Sequence, residues 1–178
     1  MAKFECAFAF VLGNEGQYVN DPADPGGETY KGIARKMNPL WPGWKVIDLM
    51  KKQAGFPGSL DKNPELQSQI KLFYQVNFWS KVQGDLINNQ QVANSIFDYA
   101  VNADDNVSIL LAQSVVNARQ DGEIGPKTIE AINGFDPGHF LAAFAVAKIH
   151  RYVEICNKRP ASRKYFFGWV NRSINSVL

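Results

Sequence analysis

The sequence predicts a mainly α fold with a small β-hairpin or irregular excursion after the first helix. Three observations predict it. Apolar residues recur at spacings of three and four along most of the chain, the period of a helix with one buried face. Residues 17–45 break that rhythm with Asp21-Pro22, Asp24-Pro25-Gly26-Gly27 and Pro39-Leu40-Trp41-Pro42-Gly43, which is turn chemistry. Beyond them, prolines stand where helices should start, at Pro64 and Pro126.

The first helix places Phe4, Phe8, Val11 and Glu15 on one face, and Gly16 is a plausible stop just past its end. Within the turn-rich stretch, Glu28–Ala34 has the length and composition of one or two short strands. Residues 45–54 read as a short helix. Pro64 opens the next, whose stripe is Leu66, Ile70, Phe73 and Asn77. Further helices are expected over residues 90–102 and 106–118. Asp121-Gly122 is a turn, and Gly125-Pro126 opens a helix ending near Gly134. Residues 137–157 form the longest helix, with Leu141, Phe144, Lys148, Ile149, Tyr152 and Cys156 near one face. No internal repeat and no flexible linker is visible.

The chain has 178 residues, against a prior of about 150 residues per domain. Its composition is 46% hydrophobic and 20% charged. That excludes a disordered tail protein, a collagen-like fibre and a low-complexity array. No apolar run reaches the ~20 residues that span a bilayer. Net charge is +2, too small to indicate a nucleic-acid binder. Its distribution is uneven: residues 1–142 sum to −4 and residues 143–178 to +6. The basic end is either a solvated helix face or a means of steering toward an anionic polymer. Cys6 and Cys156 lie in no metal-binding spacing and are expected to be buried thiols. His139 and His150 are isolated, as expected of surface or packing residues. The N-terminus, which runs straight into Glu15, reads as a structural helix rather than a secretory leader.

Glu15 is the most informative residue. A carboxyl at a helix C-terminus, on the apolar face, is partly desolvated and meets the negative end of the helix dipole. Both raise its pKa. A carboxyl protonated near neutral pH is what a general acid needs. Asp24 follows nine residues later in a Pro/Gly turn, and Thr29 five residues after that. Glycoside hydrolysis calls for one group to protonate the leaving oxygen and another to hold or activate water across the bond. Asp21 and Glu28 are rivals for the second role, and Asp21 and Asp24 also suit a turn. The Asp21/Asp24 loop does not suit calcium, because Ala23 stands where an oxygen ligand belongs.

The stretch from Asn14-Glu15-Gly16 through Asn20-Asp21-Pro22, Asp24-Pro25-Gly26-Gly27 and Thr29 to Lys31-Gly32-Ile33 resembles the active-site segment of glycoside hydrolase family 108. These are lysozyme-like N-acetylmuramidases of phage, prophage and secretion-associated loci. Their essential glutamate falls on Glu15. The order Glu15, Asp24, Thr29 also resembles the catalytic trio of phage-type lysozymes, with one residue fewer between the last two. Gln17, Glu28 and Tyr30 depart from the pattern. Phe73-Tyr74, Phe78-Trp79, Gly84-Asp85 and Phe97–Asn102 resemble later parts of the family, as does Phe167–Arg172. Asp121–Thr128 resembles a motif of helical peptidoglycan-binding modules.

The resemblance implies a lysozyme-like fold and a muramidase. The catalytic region would be residues 1–98, and residues 99–178 a helical peptidoglycan-binding region packed with it. Glu15, Asp24 and Thr29 are the candidate catalytic residues. Asp21, Tyr30, Trp79, Asp98 and Asn102 are the candidate substrate contacts. No metal or cofactor is implied. The expected partner is peptidoglycan and the expected state a monomer. The protein would be made in the bacterial cytoplasm and reach the wall through a holin, a secretion system or lysis. A lytic transglycosylase and a non-catalytic wall-binding or secretion-accessory protein are the rival readings.

Overall fold

The computed structural model describes residues 1–13, 17–21 and 26–176. In chain order the elements are α1 (Phe4–Leu12), β1 (Val19–Asn20), β2 (Glu28–Tyr30), β3 (Ile33–Ala34) and α2 (Gly43–Met50). There follow α3 (Pro64–Tyr74), α4 (Gln90–Ala103), α5 (Asp105–Val115), α6 (Pro126–Gly134), α7 (Pro137–Lys158) and α8 (Phe166–Asn175). Short 3-10 turns lie at Leu60–Lys62, Gly84–Leu86 and Pro160–Tyr165, and a π-helical turn at Gln75–Trp79. The fold is mainly α, with one three-stranded sheet after the first helix, as the punctuation predicts. The chain divides into two compact units. One comprises Phe8–Asn77; the other comprises Met1–Ala7 with Phe78–Leu178.

The Phe8–Asn77 unit contains the sheet. All its pairs are antiparallel, with Val19 opposite Thr29, Asn20 opposite Glu28, and Tyr30 opposite Ile33. Lys31 and Gly32 form the turn between β2 and β3, with φ of 47° and 76°. Two positive φ values give a turn whose twist matches the strands it joins, and glycine at the second position removes the steric cost. Tyr74 fastens this turn to α3 by donating its hydroxyl to the Lys31 carbonyl at 2.7 Å. The core is Tyr30, Ile33, Trp41, Trp44, Ile47, Leu60, Leu66 and Ile70, all buried. Trp41 meets Trp44 edge-on at 5.1 Å, and the Trp44 indole N–H donates to the Asn38 carbonyl at 2.8 Å. Pro64 opens α3 as expected, with the Asn63 side chain capping the Leu66 N–H. The stripe ends at Tyr74; Asn77 lies in the π turn and donates to the Phe73 carbonyl.

The second unit is helical. Phe4 enters its core beside Trp79 and Phe97. Asn89 and Asp136 cap α4 and α7, each accepting from a first-turn N–H. Phe140 and Phe144 stack along α7 at 5.5 Å. α8 was not legible as a helix; it lies over α7, with the Trp169 ring 5.1 Å from that of Tyr152. The cysteine expectation is corrected in part. Cys156 is buried but Cys6 is exposed, because α1 turns Phe4, Ala7 and Val11 inward and position 6 falls on the far side.

Lys148 is the unusual core residue, 2% exposed. Its Nζ donates to Ser176 Oγ at 2.9 Å and lies 5.1 Å above the Phe144 ring. Burial pulls its pKa down from 10.5 to about 8; the Asp98 carboxylate works against this shift, and the Arg172 cation adds to it. Its Nζ also faces the Tyr99 ring at 5.8 Å; Tyr99 in turn contacts Tyr152 and feels Arg151. Between these two values of 8 and 10.5 the unfolded chain holds a proton that the folded chain has lost, so stability rises with pH. Burial raises the pKa of Tyr99 and Tyr152 above 10.0, which opposes the gain at higher pH. The unfolding free energy should therefore increase between about pH 8 and about pH 10, by roughly 1–3 kcal/mol. Denaturant midpoints across that range check this. The rise should vanish in Lys148→Met; a rise of equal size in the variant would contradict the assignment.

Candidate active site

Two of the three candidate catalytic residues, Glu15 and Asp24, lie outside the described residues. The hairpin that carries the third is well defined. Thr29 is the middle residue of β2, and its hydroxyl donates to the Gly27 carbonyl at 3.2 Å. Alternation along a strand sends Tyr30 to the opposite face. There its ring is buried. The Tyr30 hydroxyl donates to Asp61 at 2.9 Å and accepts from Gln67 at 3.2 Å. Burial and the neighbouring Asp61 carboxylate raise its pKa well above the usual phenol value. Tyr30 is thus a packing residue between the sheet and the 3-10 turn at 60–62. Asp21 follows β1 immediately and is exposed.

Glu28, the other rival for the water-handling role, is committed elsewhere. One carboxylate oxygen meets Lys51 at 2.7 Å and accepts from the Tyr18 hydroxyl at 3.0 Å. The other meets Arg35 at 2.7 Å. Arg35 and Lys51 both also bind Asp48. Burial alone would raise the Glu28 pKa, but the hydrogen bonds from Lys51, Arg35 and Tyr18 outweigh it and hold the carboxyl below its ordinary value. A carboxylate with both oxygens paired to cations is a poor proton acceptor. Its work is to tie the hairpin to α2. The departure of Glu28 from the family pattern is thereby explained locally: Arg35, Asp48 and Lys51 supply its partners.

The remaining candidates lie in the other unit. Trp79 is completely buried. Its indole N–H donates to Asp85 at 2.9 Å, and a Cβ at position 84 would collide with its ring. The Trp79 and Gly84-Asp85 motifs therefore form one packing unit, and Trp79 offers no ring face to a sugar. Asp98 is 4% exposed and makes a two-pronged ion pair with Arg172 on α8, at 2.7 and 3.4 Å. Asn102 is exposed, with its amide donating back to the Asp98 carbonyl at 2.6 Å. The expected shared polar face of Asp98 and Asn102 is therefore divided: one fastens α8 to α4, the other meets solvent. Sequence reasoning missed this because the partner of Asp98 lies 74 residues away.

The basic C-terminal segment is also sorted by the fold. Lys148 is buried and Arg172 is paired with Asp98. Lys158, Arg159, Arg163 and Lys164 are exposed, next to exposed Tyr165 and Phe167. Among the described residues no cluster of His, Cys, Asp or Glu is placed to hold a metal ion. No described helix is long and apolar enough to cross a membrane.

Comparison with known proteins assigns these parts. A family model described as Glycosyl hydrolase 108 matches residues 8–103. A second, described as Predicted Peptidoglycan domain, matches residues 108–174. No curated protein matches the chain. A solved structure described as "Structure of Brucella abortus SagA" superposes with a TM-score of 0.68 at 23% identity, covering 98% of this chain and 91% of that one. At that identity the likeness speaks for the fold, which is mainly α and lysozyme-like. With more than half its length matched by one family and most of the rest by a peptidoglycan domain, the chain belongs to glycosyl hydrolase family 108 and is a glycosidase that acts on peptidoglycan.

Proposed function

We propose that the protein is an N-acetylmuramidase, hydrolysing the β-1,4 bond between N-acetylmuramic acid and N-acetylglucosamine. The observation that carries this reading is the family match over residues 8–103, which spans the ordered set Glu15, Asp24 and Thr29. Glu15 donates its proton to the glycosidic oxygen as the C1–O bond breaks. Asp24 positions and deprotonates the water that attacks C1. Thr29, held in β2 next to the Gly27 carbonyl, supplies a hydroxyl beside that water. Asp21, exposed at the end of β1, is a substrate contact. Residues 1–98 form the catalytic region and residues 99–178 hold the wall, with a monomer as the working unit. The protein is made in the bacterial cytoplasm and meets the wall after export or lysis, through a holin or a secretion system. The test is digestion of purified sacculi, borohydride reduction and mass spectrometry. Reduced muramic acid ends are expected; reduced glucosamine ends would reassign the bond.

The exposed quartet Lys158, Arg159, Arg163 and Lys164 should add charge-driven wall affinity. Exposed cations act over about 10 Å at 0.1 M salt and less at higher salt. Sedimentation of Glu15→Gln protein with sacculi should weaken as salt rises. Replacing the quartet by glutamine should lower low-salt binding and flatten the salt dependence. Binding that ignores both changes would leave the quartet as a solvated face.

A further inference from the structure

Beyond the hairpin and the basic quartet, one cleft has the features of a built site. It measures about 690 Å³ and is lined by Arg119, Asp121, Glu123, Gly125, Lys127 and Thr128, among others. That is the size range of a small-ligand pocket. All these residues belong to one compact unit and to the segment matched by the peptidoglycan model.

The floor of the cleft is held from behind by Gln113, which is completely buried. Its amide donates to Asp121 Oδ1 at 2.7 Å, to the Glu123 carbonyl at 2.9 Å and to Thr128 Oγ1 at 3.4 Å. Its carbonyl accepts from the Gly122 N–H at 3.0 Å. One buried side chain thus fixes four points of an eight-residue motif, Asp121–Thr128. Gly122 has φ of +77°, and a Cβ there would strike the Asn106 side chain. The loop therefore has one shape before any ligand arrives, and a preformed loop loses little entropy on binding.

The rim is charged with both signs. Asp121 is already occupied by Gln113, by the Glu123 N–H and, at 3.8 Å, by Arg119. Glu123 and Lys127 extend exposed side chains at the same cleft. The first turn of α6 opens there too, with Gly125 at its N-cap and no side chain capping it, so its partial positive charge adds to Lys127 and Arg119. Glycan chains offer hydroxyls and ring faces, and the cleft presents no aromatic ring among its lining residues. What matches two cations, a helix N-terminus and a free carboxylate is a short peptide bearing carboxylates and an amine.

We infer that this cleft binds the stem peptide of peptidoglycan, its carboxylates toward Lys127, Arg119 and the start of α6 and its free amine toward Glu123. This rests on the reading that the protein acts on peptidoglycan, and it adds a site that engages peptide rather than sugar.

The experiment is an NMR titration of the full-length Glu15→Gln chain with two probes. One is an uncrosslinked tetrapeptide stem released from sacculi by an amidase. The other is the peptide-free glycan left behind. The peptide should shift the amide signals of residues 119–128, and the glycan should not. Combined Arg119→Glu and Lys127→Glu should weaken peptide binding by at least about tenfold, whereas Lys62→Glu, an exposed charge change in the other unit, should leave it unchanged. Shifts of residues 119–128 by glycan alone, no shift with peptide, or full peptide affinity in the double variant would each overturn the inference. Digestion of sacculi by the wild-type chain is read separately. Digestion without peptide binding leaves the muramidase reading standing and removes this site; peptide binding without digestion does the reverse.

Discussion

Glu15→Gln should abolish digestion of purified sacculi while leaving the protein folded. The exchange keeps size and hydrogen-bonding reach but removes the proton that the leaving oxygen must receive. Loss of a general acid costs on the order of 100-fold to 10,000-fold in rate. Among the described residues, the hairpin is held by side chains other than that carboxyl. It rests on the Glu28, Arg35, Asp48 and Lys51 network and on the bond from Tyr74 to the Lys31 carbonyl. Turbidity loss of sacculi measures the effect, with thermal melting as the fold control. Undiminished lysis by a folded variant would remove Glu15 from the mechanism.

Asp24→Asn should cut the rate far more than Asp21→Asn, by about 100-fold or more if the group activates water. Both substitutions keep a turn-forming side chain, so a difference between them reports chemistry rather than loop shape. The structure narrows the field of rivals, because Glu28 is held by two cations and a phenol. Asp21, exposed at the end of β1, remains the competitor. Initial rates on sacculi decide between them: an inactive Asp21→Asn beside a near-normal Asp24→Asn would exchange the two roles.

Local signals in the sequence were sufficient where the partners are close in the chain. Pro64 and Pro126 start helices because they need no N–H at the first position. The strands within Glu28–Ala34 were legible, but the turn at Lys31-Gly32 between β2 and β3 was not singled out, although glycine at its second position tolerates the positive φ. Most of the helix pattern followed from such rules. The burial of Lys148 was half legible, since the residue sits on the apolar stripe of α7, but its anchor Ser176 lies outside that helix. α8 was missed because its aromatic stripe depends on Tyr152 of α7 for cover. The candidate contacts Tyr30, Trp79 and Asp98 are polar or amphipathic side chains whose partners Asp61, Asp85 and Arg172 satisfy them internally. Residue type alone does not distinguish a satisfied core group from a ligand contact. The Gln113 anchor behind Asp121–Thr128 was invisible for a related reason: a glutamine on a helix reads as surface until its loop is folded over it.

The central claim is that this chain breaks a muramyl glycosidic bond with water. Digestion of sacculi in water enriched in oxygen-18, followed by mass spectrometry of the soluble fragments, tests it most directly. The account predicts one heavy oxygen at the C1 of each new N-acetylmuramic acid reducing end, and none in a Glu15→Gln digest. Fragments ending in unlabelled 1,6-anhydro sugars would contradict it, because the C6 hydroxyl and not water would then have taken the bond.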